Sequence, residues 1–337
     1  MLTYIYYLLI ALIISYLITP IARKLAKKYD IMDRPNALKT HREPIPYLGG
    51  LAIYLGFVLT LVIAIITGLP FKEISILIVG STMIMILGLI DDVQPLHFRT
   101  KLAVETVIAC MLIFFDIRIK FITPHYIGDL LTILWIVGIT NAMNIIDIMD
   151  GLSSGVAVIA ALALLVINPP TEQAYVNYAA AALAGAALGF LRYNLPPARI
   201  FMGDTGSLVL GFVLATLSIG TSYSRHNNIA LYAPLLILGI PIYDTFLVMI
   251  LRFKQGKSIF RGSPDHFALR LERLGFNRRK VLMITYIVSI CLSTAALMIT
   301  RVSFWTAVTI YAIVGVFSLA IGYNLSKVDM EKTRHNE

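Results

Sequence analysis

Long apolar runs and short polar intervals alternate from one end of the chain to the other. Eleven predominantly apolar segments, each of about the length that a bilayer core demands of a helix, fall near residues 2–19, 47–67, 74–90, 102–115, 130–144, 153–168, 175–193, 206–223, 229–251, 281–300 and 304–323. The pattern predicts an all-α fold, a polytopic integral membrane helical bundle of about 11 transmembrane helices, forming a single transmembrane domain over 1–337. The longest polar intervals, 20–46 and 252–280, are under 30 residues each, so any chemistry must be built from helix ends and short loops. The first segment lacks a basic n-region and runs into Pro20 and a Lys/Arg cluster without a small-residue cleavage motif, which reads as a retained helix and not a signal peptide. Gly239 and Pro241 interrupt the ninth segment, with Asp244 just beyond, so a kink is expected there.

Composition agrees with lipid as the main solvent: 58% of residues are hydrophobic, 14% are charged, and the mean hydropathy is +0.81. Cys110 and Cys291 each lie inside an apolar run and are expected to be small buried thiols with no site role. The net charge of +9 would suggest nucleic acid in a soluble protein, but here it reports topology, and no nucleic-acid partner is expected. Of the 28 Lys and Arg residues, 23 fall in one alternating set of intervals and five (Lys72, Arg118, Lys120, Arg225 and Arg301) in the other. The positive-inside rule then places the N-terminus outside and the C-terminus inside a multi-pass protein of the cytoplasmic membrane. Carboxylates do not obey that rule, yet 14 of 19 lie on the same inner side, and Glu105 is alone within a span. An active site on the cytoplasmic face would explain the bias.

Four constellations could supply it. Asp91 and Asp92 end the third segment, where a pair of acids at a helix C-terminus opposes the dipole and so is poorly explained by helix stability. Asn141, Asn144, Asp147 and, if the helix continues, Asp150 recur every three residues and share a face; such oxygens are what a hard Mg²⁺ takes, alongside water and substrate phosphates. Capping of a helix end is the plain alternative for Asp150. The stretch from Arg192 to Ser207 is a Pro/Gly-bounded loop with Asp204 expected as N-cap of the eighth helix. There the amides of Gly206 and Ser207 would suit a phosphate, and Phe201 is either core or a stacking surface. In the basic interval 252–280, most Lys and Arg residues serve topology or anionic membrane lipids, while His266 and a guanidinium such as that of Arg270 are candidate pyrophosphate contacts. Pro44 to Gly50 reads as a rigid turn with close helix approach.

These motifs in this order resemble the polyprenyl-phosphate N-acetylhexosamine-1-phosphate transferases (glycosyltransferase family 4), and more closely the WecA/TagO type than the branch serving peptidoglycan. The resemblance runs through Asp33-Arg34-Pro35-Asn36, His41, Pro44 to Gly50, Asp91-Asp92 with Lys101, Asn141 to Gly151, Asn194 with Phe201 to Ser207, and Pro241-Ile242-Tyr243-Asp244. It implies transfer of N-acetylglucosamine-1-phosphate from UDP-N-acetylglucosamine (UDP-GlcNAc) to undecaprenyl phosphate, with Mg²⁺ required (Mn²⁺ as the alternative ion), UMP released and a homodimer as the assembly. By resemblance, Asn144 and Asp204 are the metal ligands, Asp150 and Phe201 contact uracil, and Asn194, Lys101, Asp147 and His266 line the phosphates and sugar. Asp91 and Asp92 match the family's acidic pair, and His41 and Arg270 are further substrate-binding candidates. The chain departs from the family at Ile148, usually glycine, and in keeping only the first histidine of the last cytoplasmic motif, as Asp265-His266-Phe267-Ala268-Leu269-Arg270. Related sugars, UDP-GalNAc or UDP-MurNAc-pentapeptide, are the alternatives within the class. A secondary transporter, the rival class, predicts midplane acids and an internal repeat; here the acids sit at one border and no clear repeat is found.

Overall fold

The computed structural model describes residues 2–34, 43–69, 71–170, 172–223, 227–258 and 262–330. These residues form two compact units, Met1–Ser222 and Tyr223–Glu337. The first holds α1 (Leu2–Lys28), β1 (Met32–Asp33), β2 (Ile45–Pro46), α2 (Gly49–Ile66), α3 (Phe71–Val93), α4 (Phe98–Phe114), α5 (His125–Ile145), α6 (Leu152–Ile167), α7 (Ala174–Asn194) and α8 (Gly203–Gly220). The second holds a 3-10 turn (Asn228–Tyr232), α9 (Ala233–Ile237), α10 (Gly239–Lys254), α11 (Phe267–Arg273), α12 (Arg278–Ile299) and α13 (Phe304–Ser326).

The protein is thus an all-α polytopic membrane protein, and each of the eleven apolar segments falls on helix. Among the described residues eight helices are long and apolar enough to cross a membrane, or nine if one bent pair counts as a single span. The difference from eleven lies in α4 and α6, of 17 and 16 residues. At 1.5 Å per residue they reach about 24–26 Å, short of a hydrocarbon core of about 30 Å. The bent pair is the expected kink: the helical stretches on either side of Leu238 diverge by 71°.

In the first unit α8 is the central helix, buried on nearly all sides against α2, α3 and α5. The Ala/Gly-rich α7 lies under α1, α2 and α6. Small residues let helix backbones approach where lipid provides no hydrophobic drive for association. A Cβ at Gly185 would lie 2.0 Å from the Leu8 carbonyl oxygen, and one at Gly189 2.4 Å from that of Leu12. By contrast α13 turns most of its apolar surface outward, which suits lipid. The cysteines correct the expectation from sequence: Cys110 and Cys291 are both exposed. Their helices present apolar flanks on more than one side, so residence in an apolar run does not mean burial in protein.

β1 and β2 pair antiparallel, Met32 opposite Pro46 and Asp33 opposite Ile45. This two-residue ladder brings the start of α2 to the loop before α8. The close α1–α7 contact has a direct check: Gly185→Leu lowers the thermal midpoint in detergent, at an overpacking cost of about 1–3 kcal/mol or more. Gly138→Leu, where a Cβ would meet nothing within 4 Å, leaves it unchanged; equal midpoints for the two variants would contradict the packing described.

Candidate active site

The start of α8 has no cap of its own. Its N-cap residue is Met202, in helical conformation and with no side-chain cap bond, so Asp204 is not the N-cap expected from sequence but belongs to the helix's first turn. The cap comes from α3. Asp92 accepts hydrogen bonds from the Asp204 amide (2.7 Å), the Thr205 amide (3.0 Å) and the Thr205 hydroxyl (2.5 Å). An acid that opposes its own helix dipole thereby meets the positive end of another. Gly203 makes room for it: its φ is +72°, and a Cβ there would lie 2.6 Å from both Asp92 carboxylate oxygens. The phosphate cradle proposed at Gly206 and Ser207 is not found, since both residues are buried and a Cβ at Gly50 would lie 2.1 Å from the Gly206 amide nitrogen.

The loop before α8 is held from its other side. The Phe201 amide donates to the Pro46 carbonyl (2.9 Å), and the Gly49 and Gly50 amides donate to the carbonyls of Phe201 (3.0 Å) and Met202 (2.8 Å). Pro44 to Gly50, legible only as a rigid turn with close approach, is therefore a backbone clamp on Phe201 and Met202. Phe201 stays partly exposed, with its ring centroid 6.2 Å from that of Tyr47.

Lys101, at the start of α4, bridges two carboxylates: its Nζ lies 2.7 Å from Asp91 Oδ2 and 3.0 Å from Asp204 Oδ2. Asp91 also accepts from the Leu96 amide at 2.6 Å. The other Asp204 oxygen accepts from Asn144 Nδ2 (2.9 Å), which also donates to Ser207 Oγ (2.9 Å). Asp91, Lys101, Asn144 and Asp204 thus form one network, with Asp92 joined to it through the Asp204 backbone.

The polar face of α5 stops sooner than its spacing suggested. The helix ends at Ile145, so Asn141 and Asn144 are helical while Asp147 and Asp150 lie in the following turn. Asp147 is only partly exposed; burial, with the negative charges of Asp204, Asp92 and Asp150 around it, holds its carboxyl well above the usual carboxylate range. Asp150 Oδ2 accepts from the Ala198 amide (2.9 Å), so it fixes the loop and caps no helix with its side chain. Asn194, 4% exposed, accepts from the Gly151 amide (2.9 Å) and Ser154 Oγ (3.1 Å) and donates to the Ile200 carbonyl (3.2 Å). These bonds make Asn194 a positioning group that ties α6, α7 and the loop together.

In the second unit His266 Nδ1 sits 2.6 Å from Asp244 Oδ2, and Asp244 Oδ1 accepts from the Phe267 amide (2.8 Å). The buried Asp244 side chain fixes the ring's orientation through Nδ1. Arg270 is 2% exposed and spends its donors within the unit, on Asp265 O (3.0 Å), Asp265 Oδ1 (2.5 Å), Leu325 O (2.9 Å) and Val328 O (2.8 Å). That geometry assigns it to holding the loop. His41, with Pro35 and Asn36, lies outside the described residues.

Among the described residues no three His, Cys, Asp or Glu side chains gather as a metal cage. Mg²⁺ rarely needs one, taking one or two carboxylates with water and substrate phosphates. Asp204 carries a carboxylate and Asn144, hydrogen-bonded to it through Nδ2, a carboxamide oxygen, and Lys101 already seats a cation against Asp204, so the donor set fits such an ion. Two participants were not singled out from sequence as site residues: Thr205, whose partner is remote, and Glu105, whose lone position in an apolar run was the available signal.

Comparison with known proteins gives the chain a family. Residues 74–222 match the model of glycosyl transferase family 4, ending at the last residue of the first unit. The chain is 32% identical over 319 residues to a probable undecaprenyl-phosphate N-acetylglucosaminyl 1-phosphate transferase of Bacillus subtilis, covering 92% of this chain and 88% of the relative. It is 32% identical over 326 residues to a decaprenyl-phosphate N-acetylglucosaminephosphotransferase of Mycobacterium tuberculosis (83% and 78% covered). With a phospho-N-acetylmuramoyl-pentapeptide-transferase of Staphylococcus epidermidis it shares 29% over 316 residues (84% and 95%). With the helix-end acids, the Asn144–Asp204 pair and likeness along nearly the full length, the chain belongs to glycosyl transferase family 4, among its membrane sugar-phosphate transferases.

Proposed function

We propose that the protein transfers N-acetylglucosamine-1-phosphate from UDP-GlcNAc to undecaprenyl phosphate, giving undecaprenyl-diphospho-N-acetylglucosamine and UMP. The product is the first lipid-linked sugar for teichoic acid or another surface polysaccharide. The reading rests on one observation: Asp91, Asp92, Lys101, Asn144, Asp147 and Asp204 gather where C-terminal ends of α3 and α5 meet N-terminal ends of α4 and α8. Consecutive antiparallel spans put those ends on one membrane face. Taken over the eleven apolar segments, the Lys/Arg count supports a cytoplasmic location for that face, with N-terminus out and C-terminus in.

Phosphoryl transfer asks a protein mainly for positioning and charge neutralisation. In direct displacement an oxygen of the lipid phosphate bonds to the β-phosphorus of the donor, and the bond from that phosphorus to the bridging oxygen breaks, leaving UMP. With a second pKa near ~6, the acceptor is mostly dianionic at neutral pH and has no proton to lose. The acids fit that chemistry, because Asp91 and Asp92 spend their oxygens on Lys101, the Leu96 amide and the start of α8. When held by Asp204 and Asn144, Mg²⁺ (or Mn²⁺) supplies charge neutralisation at the pyrophosphate. Lys101 adds a positive charge beside it, Phe201 and Asp150 face the uracil, and Asn194 keeps their loop in place. His266, oriented by Asp244 within the second unit, is by resemblance alone a further candidate for phosphate or sugar.

The decisive assay is Mg²⁺-dependent UMP release with undecaprenyl phosphate, comparing UDP-GlcNAc, UDP-GalNAc and UDP-MurNAc-pentapeptide. UDP-GlcNAc gives the highest kcat/KM; no release with any of the three refutes the function. Asp204→Ala lowers release by at least about 100-fold while the protein still folds, and retained turnover would remove Asp204 from the site. Asp92→Asn loses turnover at every pH, along with about 1–3 kcal/mol of stability from the α8 cap; recovery of activity on raising pH alone would instead make Asp92 a base. The raised Asp147 carboxyl gives a pH test in EDTA. The folded protein keeps a proton that the unfolded chain loses near pH 4, so stability falls as pH rises from there toward the raised value and is level above it. Asp147→Asn removes that decline, so its thermal midpoint relative to wild type increases with pH over the same window; a constant difference would argue against a raised Asp147 carboxyl.

A further inference from the structure

Below the Lys101–Asp204–Asn144 network lies a second polar pair. Glu105 is 1% exposed, one helical turn further along α4 than Lys101. Asn141 stands three residues before Asn144 on α5, also about one turn away. The two side chains meet, Asn141 Nδ2 donating to Glu105 Oε2, so α4 and α5 are cross-linked one tier beneath the site by the same two helices that carry Lys101 and Asn144.

An acid is an expensive choice for that link. The second oxygen, Glu105 Oε1, is buried and has no hydrogen-bond partner among the described residues, and a buried charge with an unsatisfied oxygen costs folding free energy. The link itself does not need the charge. A glutamine would still offer Asn141 an amide oxygen, and Asn141 also donates to the Val137 carbonyl at 2.9 Å. An ionisable group retained within a membrane helix, at a cost the local structure does not require, points to function. Its surroundings indicate which. The nearest charged tier contains the Lys101 ammonium, shared between Asp91 and Asp204, and in the transferase reading Asp204 must also accept a divalent ion. Two cations then compete for one carboxylate, above a tier that is itself buried.

We propose that Glu105 is a positioning residue of the transferase: its buried negative charge, one turn beneath Lys101, balances the cations that meet at Asp204 and so sets how tightly Mg²⁺ is bound. The inference rests on the metal role given to Asp204 and Asn144. Glu105 touches neither substrate nor ion; it acts through the field it adds and through the Asn141 link that fixes the face of α5 carrying Asn144. Groups that support metal ligands from behind change metal affinity or activity by about 10–100-fold when altered.

The test uses Glu105→Gln, which keeps the shape and the acceptor for Asn141 but removes the charge, and Glu105→Asp, which keeps the charge. Purified wild-type and variant proteins, without substrate, are titrated with MgCl₂ while thermal midpoint and binding heat are followed. Glu105→Gln raises the half-saturating Mg²⁺ concentration about tenfold, with a midpoint in EDTA equal to or above that of wild type. Its UMP release is low at limiting Mg²⁺ and recovers as Mg²⁺ is raised, while Glu105→Asp stays nearer wild type in Mg²⁺ affinity. An unchanged Mg²⁺ midpoint in Glu105→Gln overturns the inference, whether or not the variant is less stable in EDTA, because a merely structural residue moves stability and not affinity. Should wild type itself neither bind Mg²⁺ nor release UMP, the transferase reading falls and takes this inference with it; wild-type binding and turnover with an indifferent Glu105→Gln sinks the inference alone.

Discussion

Three donors in the first turn of α8 end on a single carboxylate, that of Asp92, 112 residues earlier in sequence than Asp204. A buried helix start leaves amides that must find acceptors, and here Met202 offers none. A charged acceptor serving two amides and a hydroxyl is worth about 1.5–3 kcal/mol per bond. It also joins the end of α3 to the beginning of α8. Because Asp204 emerges from that turn, its position follows from Asp92, and the bonds to Lys101 and Asn144 follow from Asp204. The clamp from Pro46, Gly49 and Gly50 holds the same turn from the opposite side, so Phe201 and Asp204 cannot shift independently.

This arrangement separates the acids by task. Asp92 completes a helix, Asp150 holds the Ala198 amide, and Asp91 anchors Lys101 and the Leu96 amide. Asp204 stands among side-chain donors, Lys101 and Asn144, that a cation can replace. Such a site stabilises charge by placement and has little call for proton transfer. That agrees with a reaction whose nucleophile arrives already ionised.

Much of this was legible in the amino-acid order. Hydropathy alone located every long helix of the bundle, since lipid forces backbone polar groups into helical hydrogen bonds, but not the short α11 in the polar interval; Gly239 with Pro241 marked the break beside Leu238. The spacing of Asn144, Asp147 and Asp204 within recognisable motifs marked residues that the fold brings to neighbouring helix ends. What stayed hidden was tertiary. Local capping rules named Asp204 as the N-cap because they see only neighbours in sequence, whereas the true acceptor comes from another helix. Periodicity carried the face of Asn141 and Asn144 on to Asp147 and Asp150, but the helix stops at Ile145 and Gly151 turns the chain with φ +76°. The cysteines were misplaced because an apolar run does not say which flank meets protein and which meets lipid. Arg270 looked like an anion contact by charge, and only the fold shows its guanidinium consumed by Asp265 and two carbonyls.

Those two carbonyls belong to Leu325 and Val328, at the end of α13. The motif around His266 is therefore moored to the tail of the polypeptide, and the last helix acts as a post to which a loop some 55 residues earlier is tied. For anyone handling the protein this has a practical side. A fusion or affinity tag joined directly after Val328 strains the mooring, whereas a flexible spacer beyond it leaves Asp265 and His266 undisturbed. Proteolytic trimming into the end of α13 loosens the same loop.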